Sequence, residues 1–389
     1  MKRWHVVGIG AVFLAVTAVA TLVVTAPKEA PAPMESPRFQ PLSASFISGE
    51  EGWVLGVVEP CGSGRPCQQI EHTVDSGRTW QALPSSIPMD ASAIRFASAN
   101  EGWVAAQGNL WWTRDGGIVW KQADWTGATL GQNTAVSGDS IQFVTSNGSG
   151  EVELHIGRMG GAAPVISSAR TDRDYRAAPF VETVSQDDTT WIWAYGEKRR
   201  TSPTDRTVVS ASGGVKTVKG QWFPWRPPCR DADEYLATLR ASASDRVVAL
   251  CAAPAATSER QRPRLLVSDD GGETFAAREI PDATLTTLLA VTGDTIALGV
   301  DGSIRTSFDA GRQWVQTYSP STPGGYVNFG SFGGADTESG PGFVTAFTGF
   351  TFQTSRSSAD NIHRYRSEKA LLATYDGGHS WTPVEFGYR

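Results

Sequence analysis

Five aspartates recur in one setting: TVDSGRTW at 73–80, TRDGGIVW at 113–120, SDDGGETF at 268–275, SFDAGRQW at 307–314 and TYDGGHSW at 374–381. The last of these sets Asp376, His379 and Ser380 within a few residues of one another. Carboxylate, imidazole and hydroxyl groups are the side chains that acid–base chemistry uses. The recurrence argues otherwise. All five read Ser/Thr, any residue, Asp, small, Gly, two variable positions, aromatic. A catalytic constellation normally occurs once, whereas a segment that returns at intervals marks a repeated structural unit. Elementary turn chemistry accounts for each part. An Asp carboxylate accepts hydrogen bonds from the N–H groups of its own turn, and glycine adopts the positive φ the turn needs. The closing aromatic then starts an outer strand and packs between units. Asp75, Asp115, Asp270, Asp309 and Asp376 are therefore expected to staple turns, with His379 an exposed variable position.

The spacing of these segments dictates the elements around them. The aspartates at 75 and 115 lie 40 residues apart, and those at 270 and 309 lie 39 apart. The long gap from 115 to 270 holds two worn copies, GRMGGAAP at 157–164 and SASGGVKT at 210–217, which keep the double glycine and lack the Asp. Upstream of each copy runs a strand, a polar turn and a second strand. FISGEEGWVLGV at 46–57 and FASANEGWVAAQ at 96–107 are near duplicates. Weaker versions begin at 135, 183, 240, 290 and 332, the last being FGGADTESGPGFVTAF. Trp53 and Trp103 of the duplicates read as core. Seven four-stranded units of this size predict an all-β fold, a seven-bladed β-propeller over 42–389, because radial packing buries both faces of every sheet. No long helix competes; DADEYLATLRAS at 231–242 is expected to form one short helix inside an insertion.

Composition agrees. Forty-one glycines and fourteen tryptophans suit short strands and tight turns, and a net charge of −6 argues against nucleic acid as a partner. At the N-terminus Lys2 and Arg3 precede an uncharged apolar run from Val6 to Ala26. Its length fits a membrane-spanning signal anchor. Ala18-Val19-Ala20 also offers the small-residue site of a cleaved signal peptide. Both readings place the propeller outside the cytoplasm, membrane-anchored or secreted, after a Pro-rich linker over 27–41. Export permits disulfides. Cys61 and Cys67 bracket the short loop CGSGRPC, and Cys229 and Cys251 share one repeat, so the pairs 61–67 and 229–251 are expected. A metal site is not: neither CxxC spacing nor a nearby His pair is present. No cofactor is implied.

The five acidic segments resemble the Asp-box, or BNR, repeats of sialidases and other WD40/YVTN/BNR-like propellers. The paired GW-plus-box units most resemble exported photosystem II assembly and stability factors. That resemblance covers about 42–389 and implies a seven-bladed ring that assembles or stabilises a membrane-protein complex. A sialidase resemblance would imply an arginine triad, a Tyr/Glu pair and an early Arg-Ile-Pro, and PRFQP around Arg38 lacks the Ile-Pro. The DxDE run at Asp231 lacks the glycine and spacing of a calcium loop. Hydrolase chemistry is thus unsupported, and a glycan-binding protein or sialidase-like glycoside hydrolase stands as the alternative reading.

Meander geometry puts the first and third turns of each unit on one face and the second turns on the other, and loops carry function more often than their scaffold. The second turns are tight in units 2, 3 and 6. Units 4, 5 and 7 are expected to have long ones: EKRRTSPTDR at 197–206, SERQRPR at 258–264 and TSRSSADNIHRYRSEK at 354–369. Together these hold eleven Lys or Arg against five Asp or Glu. A basic rim of Arg65, Lys198, Arg199, Arg200, Arg262, Arg264, Arg364 and Arg366 is expected on the face opposite the acidic segments. Guanidinium groups there would clamp carboxylates or phosphates of a partner. The reading is an exported, monomeric, non-enzymatic binding scaffold for a protein or membrane-protein complex.

Overall fold

The computed structural model describes residues 38–59, 67–106, 109–123, 134–137, 140–146, 151–158, 165–170, 180–186, 189–197, 209–218, 221–229, 234–243, 245–252, 263–282, 286–320, 326–329, 342–358 and 365–387. The N-terminal apolar segment and most of the linker lie outside them. Every regular element among the described residues is a β-strand.

The strands form seven antiparallel sheets in chain order. Sheet 1 holds β1 (Arg38–Phe46), β2 (Gly52–Glu59), β3 (Cys67–Thr73) and β4 (Gln81–Ala82). Sheet 2 holds β5 (Ala91–Phe96), β6 (Gly102–Ala106), β7 (Asn109–Thr113) and β8 (Lys121–Gln122). Sheet 3 holds β9 (Thr134–Ser137), β10 (Ser140–Ser146), β11 (Glu151–Arg158) and β12 (Val165–Arg170). Sheet 4 holds β13 (Phe180–Gln186), β14 (Thr189–Glu197), β15 (Val209–Val218) and β16 (Gln221–Trp225). Sheet 5 holds β17 (Tyr235–Ala241), β18 (Val247–Ala252), β19 (Arg264–Ser268) and β20 (Ala276–Arg278). Sheet 6 holds β21 (Thr286–Thr292), β22 (Thr295–Val300), β23 (Ser303–Ser307) and β24 (Val315–Tyr318). Sheet 7 holds β25 (Tyr326–Phe329), β26 (Gly342–Phe343), β27 (Gly349–Ser358), β28 (Tyr365–Thr374) and β29 (Thr382–Pro383), with β25 and β26 both paired to β27.

First strands touch first strands from sheet to sheet (β1 to β5, β5 to β9, β13 to β17, β17 to β21), and β28 of sheet 7 returns to β1. The second strands whose burial is described are largely buried on both faces, which is why they read as apolar runs such as VVALCA. In β18 the alternation assigns sides. Val247, Ala249 and Cys251 pack with Trp191, Trp193 and Trp225 of sheet 4. Val248 and Leu250 pack with Leu288, Ile296 and Leu298 of sheet 6. Separate cores likewise fill the interfaces of sheets 1 and 2, 6 and 7, and 7 and 1.

Five expectations are corrected. β1 begins at Arg38, so 38–41 belong to the sheet rather than the linker; Pro41 flanks a register shift, where a missing N–H is tolerated. The segment 231–242 is not helical: Tyr235–Ala241 is strand β17, and 231–233 lie outside the described residues. A bulge at Ala237, between the Leu236 and Thr238 pairings, turns Leu236 and Leu239 both inward, and their spacing of three imitates a helix. SASGGVKT does not form a turn but runs inside β15, where the shift between Trp193 and Ala194 leaves Gly213 as the extra residue. In sheet 7 a turn joins Phe343 to Gly349, later than the sequence placed it, and ADTESG at 335–340 lies outside the described residues. Finally, much of 354–369 is strand, β27 and β28 extending to Ser358 and from Tyr365.

Candidate functional site

Each acidic hairpin is a closed hydrogen-bond unit. In sheet 1 the Thr73 hydroxyl donates to Asp75 Oδ1 (2.8 Å) and accepts from the Gly77 N–H (2.9 Å). Asp75 Oδ1 also accepts from the Thr79 N–H (2.8 Å), and Oδ2 accepts from the Thr79 hydroxyl (2.6 Å). Sheets 5 and 7 repeat this with Ser268, Asp270 and Thr274, and with Thr374, Asp376 and Ser380. Sheets 2 and 6 have Val119 and Gln313 where the others have a hydroxyl, so Asp115 and Asp309 accept the leading Thr113 or Ser307 hydroxyl and the backbone N–H of Val119 or Gln313, without a second hydroxyl. Glycine meets the turn's conformational demand, as at Gly77 (φ 76°) and Gly378 (φ 89°).

These contacts fix the electrostatics. The Thr274 hydroxyl leads the groups that hold the Asp270 carboxyl at about 2, against an ordinary 3.8. At Asp75 burial works upward, but the hydroxyl and N–H of Thr79 and the Thr73 hydroxyl outweigh it and the net shift is downward. Asp376 behaves likewise, with Ser380 the main opposing donor. A catalytic acid would need the opposite shift. The carboxylates are ionised and turned into their own loops.

The same hairpins fasten the first turns. The N–H after each Asp donates to a carbonyl of the first turn in its own sheet: Ser76 to Glu50, Gly116 to Asn100, Gly271 to Asp245, Ala310 to Asp294 and Gly377 to Phe347, all at 2.8–2.9 Å. First and third turns therefore share one face in these five sheets. Neighbouring sheets are joined through the same loops. The Trp53 Nε1–H donates to the Gly116 carbonyl of sheet 2 (3.1 Å), and Trp191 and Trp225 of sheet 4 donate to Gly271 and Gly272 of sheet 5 (3.2 and 2.9 Å). Trp53 and Trp103 are core, 1% and 2% exposed.

The expected basic rim is reached only in part. Arg65, Lys198, Arg199, Arg200, Arg262 and Arg364 lie outside the described residues. Arg366 is in β28, paired with Ser357. Arg264 opens β19 and grips Glu234, Nε to Oε1 at 2.9 Å and Nη2 to Oε2 at 2.6 Å, so an internal carboxylate already holds this member of the set. Cys229 and Cys251 form the expected disulfide, fastening the segment after β16 onto the middle of sheet 5. Cys67 is also disulfide-bonded, and Cys61, its expected partner, lies outside the described residues. No group of three or more metal-ligating side chains occurs among the described residues.

Two features of the acidic-hairpin face escape the sequence reading. The leading Ser/Thr acts as a relay between carboxylate and glycine. The residue between it and the Asp is apolar or aromatic in three successive sheets around the ring, exposed as Val74 and half-buried as Phe308 and Tyr375, but is the exposed Arg114 and Asp269 in the others. The signal lay in the five quoted segments, at a position read as variable.

A circuit of six four-stranded sheets and one five-stranded sheet, joined mainly through their first strands, defines a β-propeller. A scan of protein-family models and a search of curated proteins give no match. Solved structures do. YCF48 from Cyanidioschyzon merolae is 14% identical, with 88% of this chain and 97% of that one covered at a TM-score of 0.50. The β-propeller domain of the Trilobed protease from Pyrococcus furiosus, with an open velcro topology, is 8% identical over 90% and 96% at a TM-score of 0.50. A YCF48 structure bound to D1 peptide covers 67% of this chain and 74% of its own, at 18% identity and a TM-score of 0.42. The chain is a β-propeller that resembles YCF48.

Proposed function

We propose that the chain is a seven-bladed, exported, non-enzymatic scaffold that binds a protein partner, a membrane-protein complex, through the face opposite the acidic hairpins. One observation carries the non-enzymatic part: all five aspartates that might do chemistry are spent on their own turns, with carboxylate pKa values shifted away from acid catalysis. The seven sheets in cyclic order support the blade count. The apolar segment 6–26 behind Lys2 and Arg3 supports membrane tethering or export. An excess of Lys and Arg in 197–206, 258–264 and 354–369 supports a contact with carboxylates or phosphates, and the assembly role follows the likeness to YCF48 in fold.

The test uses the full chain in its native membranes, crosslinked and captured beside the triple variant Arg199→Gln, Arg262→Gln, Arg364→Gln. The expected result is a defined partner recovered with the wild type and lost with the variant. Equal recovery removes the basic face from the model. Selective retention of one glycan on an array, followed by its hydrolysis, replaces the scaffold with the glycoside-hydrolase reading.

A further inference from the structure

The Cys229–Cys251 disulfide is closed off from solvent in the folded chain. Its two residues are 1% and 0% exposed. Cys251 lies in β18, opposite Leu236 of β17, and packs in one cluster with Cys229, Val247 and Ala249. Trp191, Trp193 and Trp225 of sheet 4 belong to the same cluster. Two of these rings are tied across the interface. The Trp193 Nε1–H donates to the carbonyl of Leu236, the residue paired with Cys251 (3.1 Å). Trp225, just before Cys229 in the chain, donates to the Gly272 carbonyl of sheet 5 (2.9 Å). The docking of sheet 4 on sheet 5 therefore seals the bond.

Making that bond needs what the folded chain denies. One cysteine, as thiolate, attacks an external disulfide, forms a mixed disulfide and releases one thiol. The other cysteine, as thiolate, attacks the protein sulfur of the mixed disulfide and releases the second thiol. Two protein thiols become one bond, two electrons pass to the external disulfide, and both protons leave on its thiols. The intermediate holds a foreign sulfur beside Cys229 or Cys251, and a close-packed tryptophan cluster has no room for one. The sequence supplies an earlier opportunity. The bond spans 22 residues, and the loop it closes holds all of β17 and most of β18. These two strands pair with each other, without help from sheet 4. We infer that Cys229 and Cys251 are a modification site of the incompletely folded chain, oxidised by exchange with an external disulfide while β17 and β18 form an open hairpin, before the tryptophans of sheet 4 dock.

A reversible redox switch would need the opposite placement, a sulfur within reach of thiols in the folded state. Cys67 is nearer to that condition. It is disulfide-bonded as well, but half-buried at the first residue of β3. The chain thus carries its own comparison between a sealed bond and a reachable one. The order of oxidation and docking stands on this geometry alone. Only the place where the oxidant is met, outside the cytoplasm, rests on the exported reading above, so failure of the order would leave that reading untouched.

The test follows the full wild-type chain in mild detergent, with each cysteine read by alkylation and peptide mass spectrometry. The chain is reduced in denaturant and diluted into native buffer, with oxidised glutathione present from the start or added after refolding. Early oxidant is expected to form the 229–251 bond about a hundredfold faster than late oxidant, the protection of a site that opens only by sub-global unfolding. A reduced chain that never refolds supports the same order, since oxidation must then come first. The oxidised native chain gives the reverse measurement. In dithiothreitol the Cys67 disulfide should be lost first, at a rate proportional to the reductant, while 229–251 persists until urea opens the sheets. Equal rates with early and late oxidant overturn the inference. So does reduction of 229–251 in native buffer as fast as that of Cys67, which would make it an exchangeable bond.

Discussion

At the scale of the residue, the aspartate hairpins show how a side chain with catalytic potential becomes structural. What separates the two outcomes is the direction of the pKa shift. Asp270 collects the Ser268 hydroxyl, the Thr274 N–H and the Thr274 hydroxyl on its two oxygens, and each favours the ionised form. Its folded value of about 2 lies below the unfolded 3.8, so the ionised group stabilises the fold above about pH 4 and that contribution disappears as pH falls through about 2. Asp270→Asn keeps one acceptor oxygen and removes the titration. The variant is expected to melt below the wild type at pH 7 and to converge on it between pH 4 and 2, read by thermal unfolding at a series of pH values. A difference that stays constant across that range would mean the carboxylate charge contributes nothing. The box pattern in the sequence announced the Asp and the Gly. It was silent on the hydroxyl at the fourth position after the Asp, because Thr79, Thr274 and Ser380 alternate with Val119 and Gln313 and the position looks unconstrained.

At the scale of the element, an inner hairpin recurs beside the acidic one. Phe46 to Gly52, Phe96 to Gly102 and Phe343 to Gly349 have one spacing, each followed by Trp or Phe. In all three a Ser or Thr hydroxyl (Ser48, Ser98, Thr345) accepts N–H groups inside the turn. Each Phe ring lies over the glycine opposite. A Cβ on Gly102 would stand 2.7 Å from the Phe96 ring, and that ring is held 3.8 Å from Trp53 in a parallel stack, so it has little room to move. Gly102→Ala should cost about 1–3 kcal/mol in urea unfolding, the usual penalty of overpacking. Phe96→Leu in the same chain should recover part of it, and Gly387→Ala, where a Cβ meets nothing within 4 Å, serves as the neutral control. The first two copies of this hairpin were legible as duplicates, and they yielded the strand pairs correctly. The third was hidden because Val344, Thr345, Ala346 and Phe347 replace the polar turn, and the glycine-rich stretch before it drew the turn too early. The bulges at Ala237 and Gly213 left no trace in the pattern of polar and apolar residues, since a bulge changes which face a residue takes without changing its type. Strand identity was therefore readable wherever two-sided burial wrote an apolar run, and register was not.

At the scale of the whole folded unit, the ring must close, and among the described residues no strand crosses the join. Sheet 1 is made of the first four described strands and sheet 7 of the last five, so among the described residues no backbone ladder links N-terminal to C-terminal sequence. Closure rests on side chains. Phe46 stacks on Phe350 at 4.0 Å, Phe39 meets Phe386 at 4.5 Å, and Trp80 packs on Phe386 at 5.1 Å. Ala44, Val54, Phe352 and Leu371 fill the rest of this interface. The Arg38–Glu368 ion pair at 3.0 Å joins two exposed side chains and adds little. Phe350 is fully buried at the centre of the join, so Phe350→Ala removes ring stacking and leaves a cavity, a loss of about 3–5 kcal/mol. Where that loss appears distinguishes a side-chain seam from a uniformly cooperative ring. Amide exchange should accelerate first in β1, β2, β27 and β28, while β18 and β22, equally buried but remote from the join, keep their protection until global unfolding. A truncation at a comparable core site away from the join, Leu298→Ala, should produce no such local opening. If both variants loosen the amides evenly around all the sheets, closure is not held at this interface, and the ring behaves as one cooperative body.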